Sequence, residues 1–296
     1  MIKSFFNSLD ISYKEEVSLR NYNAYRVNTI CSYLVFPKTV EELIEILKYL
    51  KENNIKYYIL GNGSNIILSM DYYNGVMIKL DNLNSIIYKD NLVTAGAGCS
   101  LIKLSLDTIE KGLSGMEFSA GIPGCVGASV AMNAGAYNND ISDILKEATI
   151  LTPDNEVKVM KNNELNFEYR DSFLKKNKEY IVLSATFELT KGNIEEMREL
   201  VEERKQKRID SQPLELPNAG SVFRNPEGSY AGALIEKANL KGYNINDAEV
   251  SNKHANFIVN KGNATGKDII SLITKIQKEI KEQDDIDLKL EQIIVR

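Results

Sequence analysis

Residues 115–137 read GMEFSAGIPGCVGASVAMNAGAY, and they carry the strongest information about the fold in this chain. They contain five of the 18 glycines, alanines fill most of the gaps, and no charged side chain occurs between Glu117 and Asp140. Glycine and alanine leave the main chain bare, so backbone N–H groups can approach a ligand closely. Successive N–H groups in turns, or at a helix start, form a concave site for an anion. Composition alone leaves two interpretations open: a diphosphate held by the main chain, or a tightly packed helix–strand junction.

A second stretch, residues 57–69, reads YYILGNGSNIILS and predicts a strand, a turn and a further apolar run. The turn, residues 61–65, presents N–H and hydroxyl donors at the carboxyl end of the first strand. It is not a P-loop, because no Gly-Lys-Ser/Thr follows, and no helix pattern opens there as the GxGxxG dinucleotide fingerprint requires. A strand that ends in such a turn favours the diphosphate interpretation.

Composition is that of an ordinary globular protein. The 296 residues suffice for two or three domains, and 43% of them are hydrophobic and 26% charged. A formal net charge of −5 argues against nucleic acid as a partner. No apolar run approaches the length of a membrane span, and the start of the chain lacks a signal-peptide pattern. We therefore expect a cytoplasmic protein with no membrane partner.

The cysteines and the single histidine predict no metal site. Cys31, Cys99 and Cys125 are widely spaced and odd in number, so they form neither a metal-binding spacing nor a disulfide framework. Cys125 lies inside the glycine stretch, where a small buried filler is favoured over a redox role. His254 is the only histidine, which excludes a multi-histidine metal site and favours a structural role.

The two glycine stretches together resemble flavin-binding proteins of the vanillyl-alcohol-oxidase type and, more narrowly, the UDP-N-acetylenolpyruvoylglucosamine reductase family. The resemblance covers nearly the whole chain and is closest to the shorter form of the family, which lacks an extra substrate-covering loop. Several motifs in the family's order are far more specific than one glycine pattern. The further motifs are residues 169–173 (YRDSF), 218–223 (NAGSVF), 231–236 (AGALIE) and 253–260 (KHANFIVN).

The resemblance implies an α+β architecture, a vanillyl-alcohol-oxidase-type FAD-binding fold of two αβ subdomains plus a C-terminal αβ substrate-binding domain. The implied domains are FAD-binding subdomain 1 (1–80, with the closing strand 287–296), FAD-binding subdomain 2 (81–208) and the substrate-binding domain (209–286). Residue patterns along the chain predict the regular elements. The predicted helices are 39–52, 101–111, 194–209, 231–238 and 266–282, and the predicted strands are 33–36, 57–60, 77–80, 92–96, 148–151, 156–160, 180–189, 255–259 and 288–295.

The family's reaction implies non-covalent FAD, NADPH as hydride donor and UDP-N-acetylglucosamine enolpyruvate as substrate. NADPH reduces FAD, and hydride then passes to the β-carbon of the enolpyruvyl group, which gives UDP-N-acetylmuramate for peptidoglycan precursor synthesis. Carbanion character on the α-carbon requires positive charge at the substrate carboxylate and an acid to protonate that carbon. We expect a monomer. The implied cofactor-binding residues are Gly61, Asn62, Gly63, Ser64, Asn65, Ile66, Gly121, Ile122, Pro123, Gly124, Gly127 and Ala128.

Three catalytic residues are implied by motif matches, each with a structural alternative. Arg170 matches the family's catalytic arginine, whose permanent charge can fork onto a carboxylate; the alternative is a structural salt bridge to Asp171 or another acid. Ser221 matches the proton donor, and its alternative is a turn residue whose hydroxyl bonds the backbone. Glu291 aligns with the glutamate that assists at the intermediate, and its alternative is a solvent-facing acid on a strand.

The chain also departs from the family's pattern near the substrate. Residues 211–213 are SQP where Lys-Gln-Pro is usual, and we expect Arg208 to replace the lost lysine at the substrate diphosphate. Residues 245–248 (INDA) and 27–29 (VNT) replace the usual Ile-Gly-Gly-Ala and Ile-Gly-Gly. Tyr169 and Asn225 complete the implied substrate-binding set. Two alternatives stay open: a flavin oxidoreductase acting on another hydroxy acid or sugar, and a flavin-binding paralogue with little catalysis.

Overall fold

A computed structural model describes residues 2–296 and confirms an α+β chain. The α-helices of these residues are α1 (Ile2–Ser8), α2 (Val40–Glu52), α3 (Leu101–Glu110), α4 (Val126–Ala131), α5 (Ile141–Ile144), α6 (Phe173–Lys176), α7 (Ile194–Ser211), α8 (Ala231–Lys237) and α9 (Gly266–Asp284). Their strands are β1 (Ser12–Ser18), β2 (Ile30–Phe36), β3 (Tyr57–Ile59), β4 (Ile66–Leu68), β5 (Tyr72–Ile78), β6 (Ile86–Lys89), β7 (Leu92–Gly96), β8 (Leu113–Ser114), β9 (Gly135–Ala136), β10 (Asn139–Asp140), β11 (Leu145–Leu151), β12 (Val157–Lys161), β13 (Ile181–Glu188), β14 (Thr190–Lys191), β15 (Asn244–Ile245), β16 (Ala248–Val250), β17 (Ile258–Asn260) and β18 (Ile293–Val295).

The described residues form two compact units. The first contains residues 2–15, 33–61 and 75–205, and the second contains residues 16–32, 62–74 and 206–296. This division leaves open whether the FAD-binding part consists of two subdomains, because subdomains can share a compact unit. The three-part division implied by the family therefore stays a prediction.

A five-stranded sheet with strand order β12-β11-β13-β7-β6 organises the first unit. Its neighbours run antiparallel, with Ala148 opposite Ala185 and Ala185 opposite Ala95, and all three alanines are buried. The loop after β7 holds the glycine-rich stretch: Val126 donates its N–H to the Cys99 carbonyl at 2.9 Å. The sheet thus fixes the position of the residues that the sequence singled out first.

Helix α2 follows the pattern predicted for residues 39–52. The Thr39 hydroxyl accepts the N–H of Glu42 at 3.2 Å, which satisfies one of the unpaired donors of the first turn. The predicted apolar face is buried along its length and consists of Leu43, Ile46, Leu47 and Leu50. Because the period of 3.6 residues sets this face, the helix could be read from the sequence alone.

The second unit contains a three-stranded sheet, β15-β16-β17, and the long helix α9. Thr265 and Asp268 form a capping box at the start of α9. The closing strand is shorter than the predicted 288–295: β18 pairs in parallel with β4, with Ile293 opposite Ile66. The preceding residues bond elsewhere, because a bridge joins Leu290 to Phe223.

The structure also contains short elements that the sequence prediction lacked, among them α4–α6, β6, β8–β10 and β14–β16, and two further differences have a physical cause. Strand β1 was missed, since SYKEEVS carries charged residues and lies at the edge of the sheet ordered β1-β2-β5-β3. The strand predicted at 255–259 begins only at Ile258, because the preceding residues form a turn in which Phe257 donates its N–H to the His254 carbonyl at 3.0 Å. The remaining predicted helices and strands are present with ends shifted by a few residues.

We predict that Gly266→Ala destabilises the protein much more than Gly228→Ala. A Cβ at Gly266 would lie 1.7 Å from the Leu68 carbonyl oxygen, so α9 must move away from β4, at a cost of about 3 kcal/mol. Gly228 has a φ of +70° and no atom within 4 Å of a Cβ, so its substitution costs only the left-handed conformation, about 1 kcal/mol. Urea unfolding measures both variants, and equal losses would show that α9 adjusts freely.

Candidate active site

The two glycine stretches touch each other in the first unit. A Cβ at Gly61 would lie 3.0 Å from Cys125 Sγ and 3.1 Å from Ala128 Cβ. A Cβ at Gly127 would lie 2.9 Å from Ala97 Cβ, and the N–H of Gly127 bonds the Ala97 carbonyl at 2.9 Å. These glycines are required because the main chain packs directly against neighbouring protein atoms.

The first loop also offers backbone donors for an anion. Within residues 2–296, the N–H groups of Gly61, Gly63, Ser64 and Asn65 donate to no acceptor of the chain itself. Adjacent backbone N–H groups that the chain itself does not use can bind an anion together. This donor set fits the phosphate oxygens of FAD without any lysine or arginine.

In the second unit, the same loop is tied to two other segments. The Gly63 carbonyl accepts the N–H of Ala24 at 3.0 Å, and the φ of +66° at Gly63 suits a glycine. The Asn65 carbonyl accepts the N–H of Ile293 at 3.0 Å, and Asn65 Nδ2 donates to the Glu291 carbonyl at 3.4 Å. A cofactor candidate and a catalytic candidate are therefore brought together at the end of the chain.

Lys79 is a buried residue that sequence reasoning missed. Its ammonium donates to the Gly61 carbonyl at 2.9 Å and lies 3.2 Å from Asp81 Oδ1, while only 7% of its side chain is exposed. A buried lysine needs such partners, because an isolated charge is costly to remove from water. The available signal was a lysine inside the apolar run MIKL, directly after strand β5.

Arg170 lies in the first unit, on a tight turn between Glu168 and Asp171. The two flanking residues exchange both backbone hydrogen bonds at 3.0 Å, and Arg170 adopts a left-handed φ of +56°. That conformation costs a residue with a side chain roughly 1 kcal/mol, and it recurs at functional sites. The guanidinium donates to the Gly135 carbonyl, at the end of the glycine-rich stretch. Its position is therefore fixed relative to that stretch.

Asn133 holds the Arg170 turn in place, and it too was missed. It is buried, and its Nδ2 donates to the Glu168 carbonyl and to Asp140 Oδ2, both at 3.0 Å. Its Oδ1 accepts the N–H of Ser142 at 3.0 Å, so both polar atoms of the carboxamide have partners. Asn133 follows Met132 in a run of small residues, and such an asparagine gives no local sign of the distant carbonyl that it bonds.

The salt-bridge alternative for Arg170 involved Asp171. In the structure Asp171 Oδ2 lies 3.6 Å from Lys176 Nζ, and the Arg170 carbonyl accepts a hydrogen bond from Lys175 Nζ at 2.7 Å. The Arg170 guanidinium lies 5.2 Å from the centre of the Tyr169 ring, a cation–π distance. Tyr169 itself is 52% exposed, and its role in substrate binding stays a prediction.

Ser221 and Glu291 lie on adjoining segments of the second unit. Glu291 donates its N–H to the Val222 carbonyl at 2.9 Å, next to the bridge between Phe223 and Leu290. Within residues 2–296, the Ser221 hydroxyl makes no hydrogen bond, so the alternative of a backbone-bonded turn serine does not describe it. Both side chains are half-buried. The structure thus joins two residues that are 70 positions apart in sequence.

A buried asparagine supports the Ser221 segment from its other side. Asn256 Oδ1 accepts the N–H of Phe223 at 3.0 Å, and Asn256 Nδ2 donates to the Phe223 carbonyl at 2.8 Å. The Asn256 carbonyl also accepts the N–H of Val222 at 2.9 Å. Since one carboxamide satisfies both backbone groups of one residue, Asn256 replaces a strand partner and fixes this segment.

The two remaining substrate candidates also lie in the second unit. Asn225 is exposed, and its Oδ1 accepts the N–H of Ala231 at 3.1 Å, at the start of α8. Arg208 is half-buried and donates from Nε to Gln212 Oε1 at 3.0 Å, within the segment that lacks the family's lysine. Neither contact tests a role in substrate binding, so the assignment of both residues stays a prediction.

The remaining titratable candidates are structural. His254 Nδ1 accepts the N–H of Asn256 at 3.2 Å, and burial lowers the pKa of the ring, so it stays neutral. Burial raises the pKa of the Cys99 thiol, and Cys125 is also buried. In the part of the chain that the structure describes, no cluster of three His, Cys, Asp or Glu side chains could hold a metal ion. No helix of residues 2–296 has the length and apolar character needed to cross a membrane.

Comparison with known proteins identifies the family. Residues 31–161 match an FAD binding domain, and residues 212–295 match the C-terminal domain of UDP-N-acetylenolpyruvoylglucosamine reductase. The reductase of Clostridium kluyveri is 41% identical over 282 residues, which cover 95% of this chain and 92% of that protein. The chain belongs to the UDP-N-acetylenolpyruvoylglucosamine reductase family. This confirms the predicted family, the FAD-binding domain with its C-terminal partner, and FAD as the cofactor.

Solved structures support the same assignment. The crystal structure of the reductase from Thermus caldophilus has a TM-score of 0.82 and 31% identity, and the match covers 97% of this chain and 99% of that one. Glucooligosaccharide oxidase from Acremonium strictum, whose FAD is linked through cysteine and histidine, has a TM-score of 0.51 at 15% identity. That match covers 98% of this chain and 60% of the oxidase and shows the fold alone.

The matched ranges contain most of the site candidates. Both glycine stretches fall within the FAD binding domain, and Ser221, Asn225 and Glu291 fall within the C-terminal domain. Arg170 and Arg208 lie between the two ranges. The comparisons thus assign the domains, while the roles of individual residues remain proposals.

We predict that Gly124→Val abolishes FAD binding and leaves the chain folded. Gly124 does not have a positive φ, but a Cβ there would lie 2.7 Å from Ser129 Oγ, so a branched side chain must displace the turn before α4. The visible absorbance of the purified protein measures bound flavin.

A paired variant tests whether the contact with Ser129 is the cause. Gly124→Ala should lose flavin, and Gly124→Ala combined with Ser129→Ala should regain it, because the oxygen at 2.7 Å is then absent. Wild-type flavin content in Gly124→Val would show that the stretch serves only packing.

Proposed function

We infer that this chain reduces the enolpyruvyl group of UDP-N-acetylglucosamine enolpyruvate to UDP-N-acetylmuramate, with FAD as cofactor and NADPH as hydride donor. The observation that carries this inference is the backbone pairing of the Ser221 segment with the Glu291 segment, formed by the bond from Glu291 N–H to the Val222 carbonyl and the bridge between Phe223 and Leu290. The cofactor-loop residue Asn65 bonds both Ile293 and the Glu291 carbonyl. A cofactor loop, a half-buried hydroxyl and a half-buried carboxylate are therefore held by one set of backbone bonds.

Two backbone regions would hold the cofactor. The unshared N–H groups of residues 61 and 63–65 suit its phosphate oxygens, and the glycine-rich residues 121–128, which pack against Gly61, would form the second region. Bound FAD supplies hydride transfer in two stages, from NADPH and then to the β-carbon of the substrate. The other chemical tasks fall to side chains of this protein.

Arg170 would stabilise the substrate carboxylate as negative charge develops. Its guanidinium is permanently charged and planar, so it can bond both oxygens of a carboxylate. Since the left-handed turn and the Gly135 contact already orient it, little reorganisation accompanies the reaction. Tyr169 would line the substrate beside it, while Asn225 and Arg208 would bind the nucleotide-sugar part.

Ser221 would protonate the α-carbon, and Glu291 would support that transfer. A serine hydroxyl is a weak acid, so it needs a partner that holds or replaces its proton. The bond from Glu291 N–H to the Val222 carbonyl keeps the carboxylate-bearing residue next to the serine segment. Arg208, not the family's usual lysine, would contact the substrate diphosphate.

Anaerobic mixing tests the function. NADPH should bleach the flavin, and the enolpyruvyl UDP-sugar should restore its colour. Bleaching without reoxidation would indicate a different substrate, and no bleaching would indicate a flavin-binding paralogue. We expect the protein to act as a monomer in the cytoplasm, where NADPH and UDP-sugars are available, and light scattering measures its mass.

We predict that the FAD is bound without a covalent link. Covalent attachment in this fold uses histidine or cysteine, and His254 is outside both glycine stretches and bonded within its own turn. Cys125 is the one cysteine inside them. Acid precipitation should release all yellow colour into the supernatant. Colour in the pellet would refute the prediction, and its loss in a Cys125→Ala variant would identify the attachment site.

We predict that Ser221→Ala slows flavin reoxidation by the enolpyruvyl UDP-sugar by about 10²–10⁴-fold. Flavin bleaching by NADPH should keep its rate, because that half of the reaction needs no proton at the substrate α-carbon. Ser221→Cys should retain more activity than the alanine variant, since a thiol can still donate a proton. Stopped-flow absorbance follows both halves. If Ser221→Ala slows bleaching as much as reoxidation, Ser221 positions the flavin and is not the proton donor.

A further inference from the structure

Gln292, next to Glu291, makes a set of buried hydrogen bonds that no motif assigns. Only 4% of the residue is exposed. Its Nε2 donates to the Ala219 carbonyl at 3.0 Å and to the Gly220 carbonyl at 3.2 Å. Its Oε1 accepts the hydroxyl proton of Tyr25 at 3.0 Å. Because two carbonyls require a donor, these contacts dictate which end of the carboxamide is the nitrogen.

The two carbonyls belong to the turn that leads directly into Ser221. Gly220 has a φ of +75°, and its N–H bonds Asn218 Oδ1 at 3.0 Å. The N–H side of the turn is thus held by Asn218 and the carbonyl side by Gln292. The Gly220 carbonyl is part of the Gly220–Ser221 peptide, so its hydrogen bond fixes the plane from which the Ser221 side chain projects.

Tyr25 holds the carboxamide in this orientation. It is fully buried, and its carbonyl accepts a hydrogen bond from Asn260 Nδ2 at 2.8 Å. Burial raises the pKa of the phenol far above its usual value, so the hydroxyl stays protonated and donates to Gln292. In the series Tyr25–Gln292–Gly220, the Tyr25 hydroxyl, the Gln292 carboxamide and the Gly220 carbonyl therefore all have partners, an arrangement that is rigid and intolerant of rotation.

We propose that Gln292, oriented by Tyr25, is a positioning residue for Ser221 in the proton-transfer half of the reaction. The proposal rests on the proton-donor role proposed above for Ser221. Without the carboxamide, the glycine at position 220 lets the turn rotate, and the hydroxyl leaves its productive place. A displacement of about 1 Å can reduce a rate roughly 10²-fold.

The first test replaces Gln292 by an unbranched apolar residue of similar length. Gln292→Met should slow flavin reoxidation by the enolpyruvyl UDP-sugar by about 10–100-fold and leave bleaching by NADPH unchanged. Tyr25→Phe removes one hydroxyl and should slow reoxidation to a smaller extent, again without slowing bleaching. This second variant tests the proposal even where the methionine variant folds poorly. Equal slowing of both halves, or of neither, would overturn the proposal.

A matched control separates positioning from general stability. Asn162 in the first unit uses the same chemistry, because its Nδ2 donates to the Ser142 carbonyl at 2.8 Å and the Leu145 carbonyl at 2.7 Å. Asn162→Leu should lower the unfolding temperature and leave both half-reactions intact. A selective loss of reoxidation in this control would show that any weakened carboxamide produces the effect.

A double-mutant cycle distinguishes this proposal from the role of Ser221. Gln292→Met should slow reoxidation in the wild-type background and have no further effect when Ser221→Ala is present, because the two residues act through one step. If Ser221→Ala alone has no effect, the proton-donor proposal fails. If Ser221→Ala slows reoxidation and Gln292→Met does not, or if their effects multiply, only the positioning proposal fails.

The pH dependence of Gln292→Glu provides a readout that packing alone does not give. A glutamate here would face two carbonyl oxygens in a buried place, so its pKa would rise above the ordinary value of about 4.3. Its protonated form can donate to those carbonyls, and its charged form cannot. The ratio of the variant's reoxidation rate to the wild-type rate, both measured at the same pH, should therefore rise as the pH falls toward that raised pKa. A ratio independent of pH would contradict the proposal.

Discussion

The parallel pairing of β18 with β4 is the constraint on which the second unit's site depends. Ile293 lies opposite Ile66 and Val295 opposite Leu68, residues separated by more than two hundred positions in the chain. Closing so long a loop costs little more than closing a shorter one, because the entropy grows only with the logarithm of length. The pairing draws residues 289–292 between the cofactor loop and the turn at 218–220. The short pairing of β18 with β4 thus helps to position the cofactor candidate Asn65, the carboxylate of Glu291 and the hydroxyl of Ser221.

Buried carboxamides support the irregular backbone that surrounds this pairing. Turns and bent segments cannot satisfy their N–H and carbonyl groups with a regular neighbour, and an unpaired buried group is costly. Asn256 bonds both backbone groups of Phe223, and Gln292 bonds two successive carbonyls before Ser221. Asn133 does the same for the turn of Arg170 in the first unit. Each amide carries donors and an acceptor at a fixed distance, so it can replace a strand where none fits.

The sequence predicted elements whose pattern is local, and it failed where a partner is distant. Helices α2 and α9 could be located because a period of 3.6 residues and a side-chain cap lie within one segment. The end of the chain was drawn as a continuous strand, since only the structure reveals that Leu290 bridges to Phe223 before β18 begins. Ser221 and Glu291 were accessible through motifs. Gln292 was not, because a polar residue on a predicted strand is expected to face solvent until its partners are known.

Glycine content left two interpretations open, main-chain binding of a diphosphate and tight packing. The two are compatible with each other in this structure. Gly61 and Gly127 lack side chains because Cys125, Ala128 and Ala97 occupy the space where a Cβ would be. That is packing. The first loop also carries N–H groups, at residues 61 and 63–65, that find no acceptor within residues 2–296. A loop free to relax would turn those donors toward water or toward its own carbonyls. If these donors bind the cofactor phosphates as proposed, packing and binding both depend on Gly61, and substitution at Gly61 alone cannot separate the two roles.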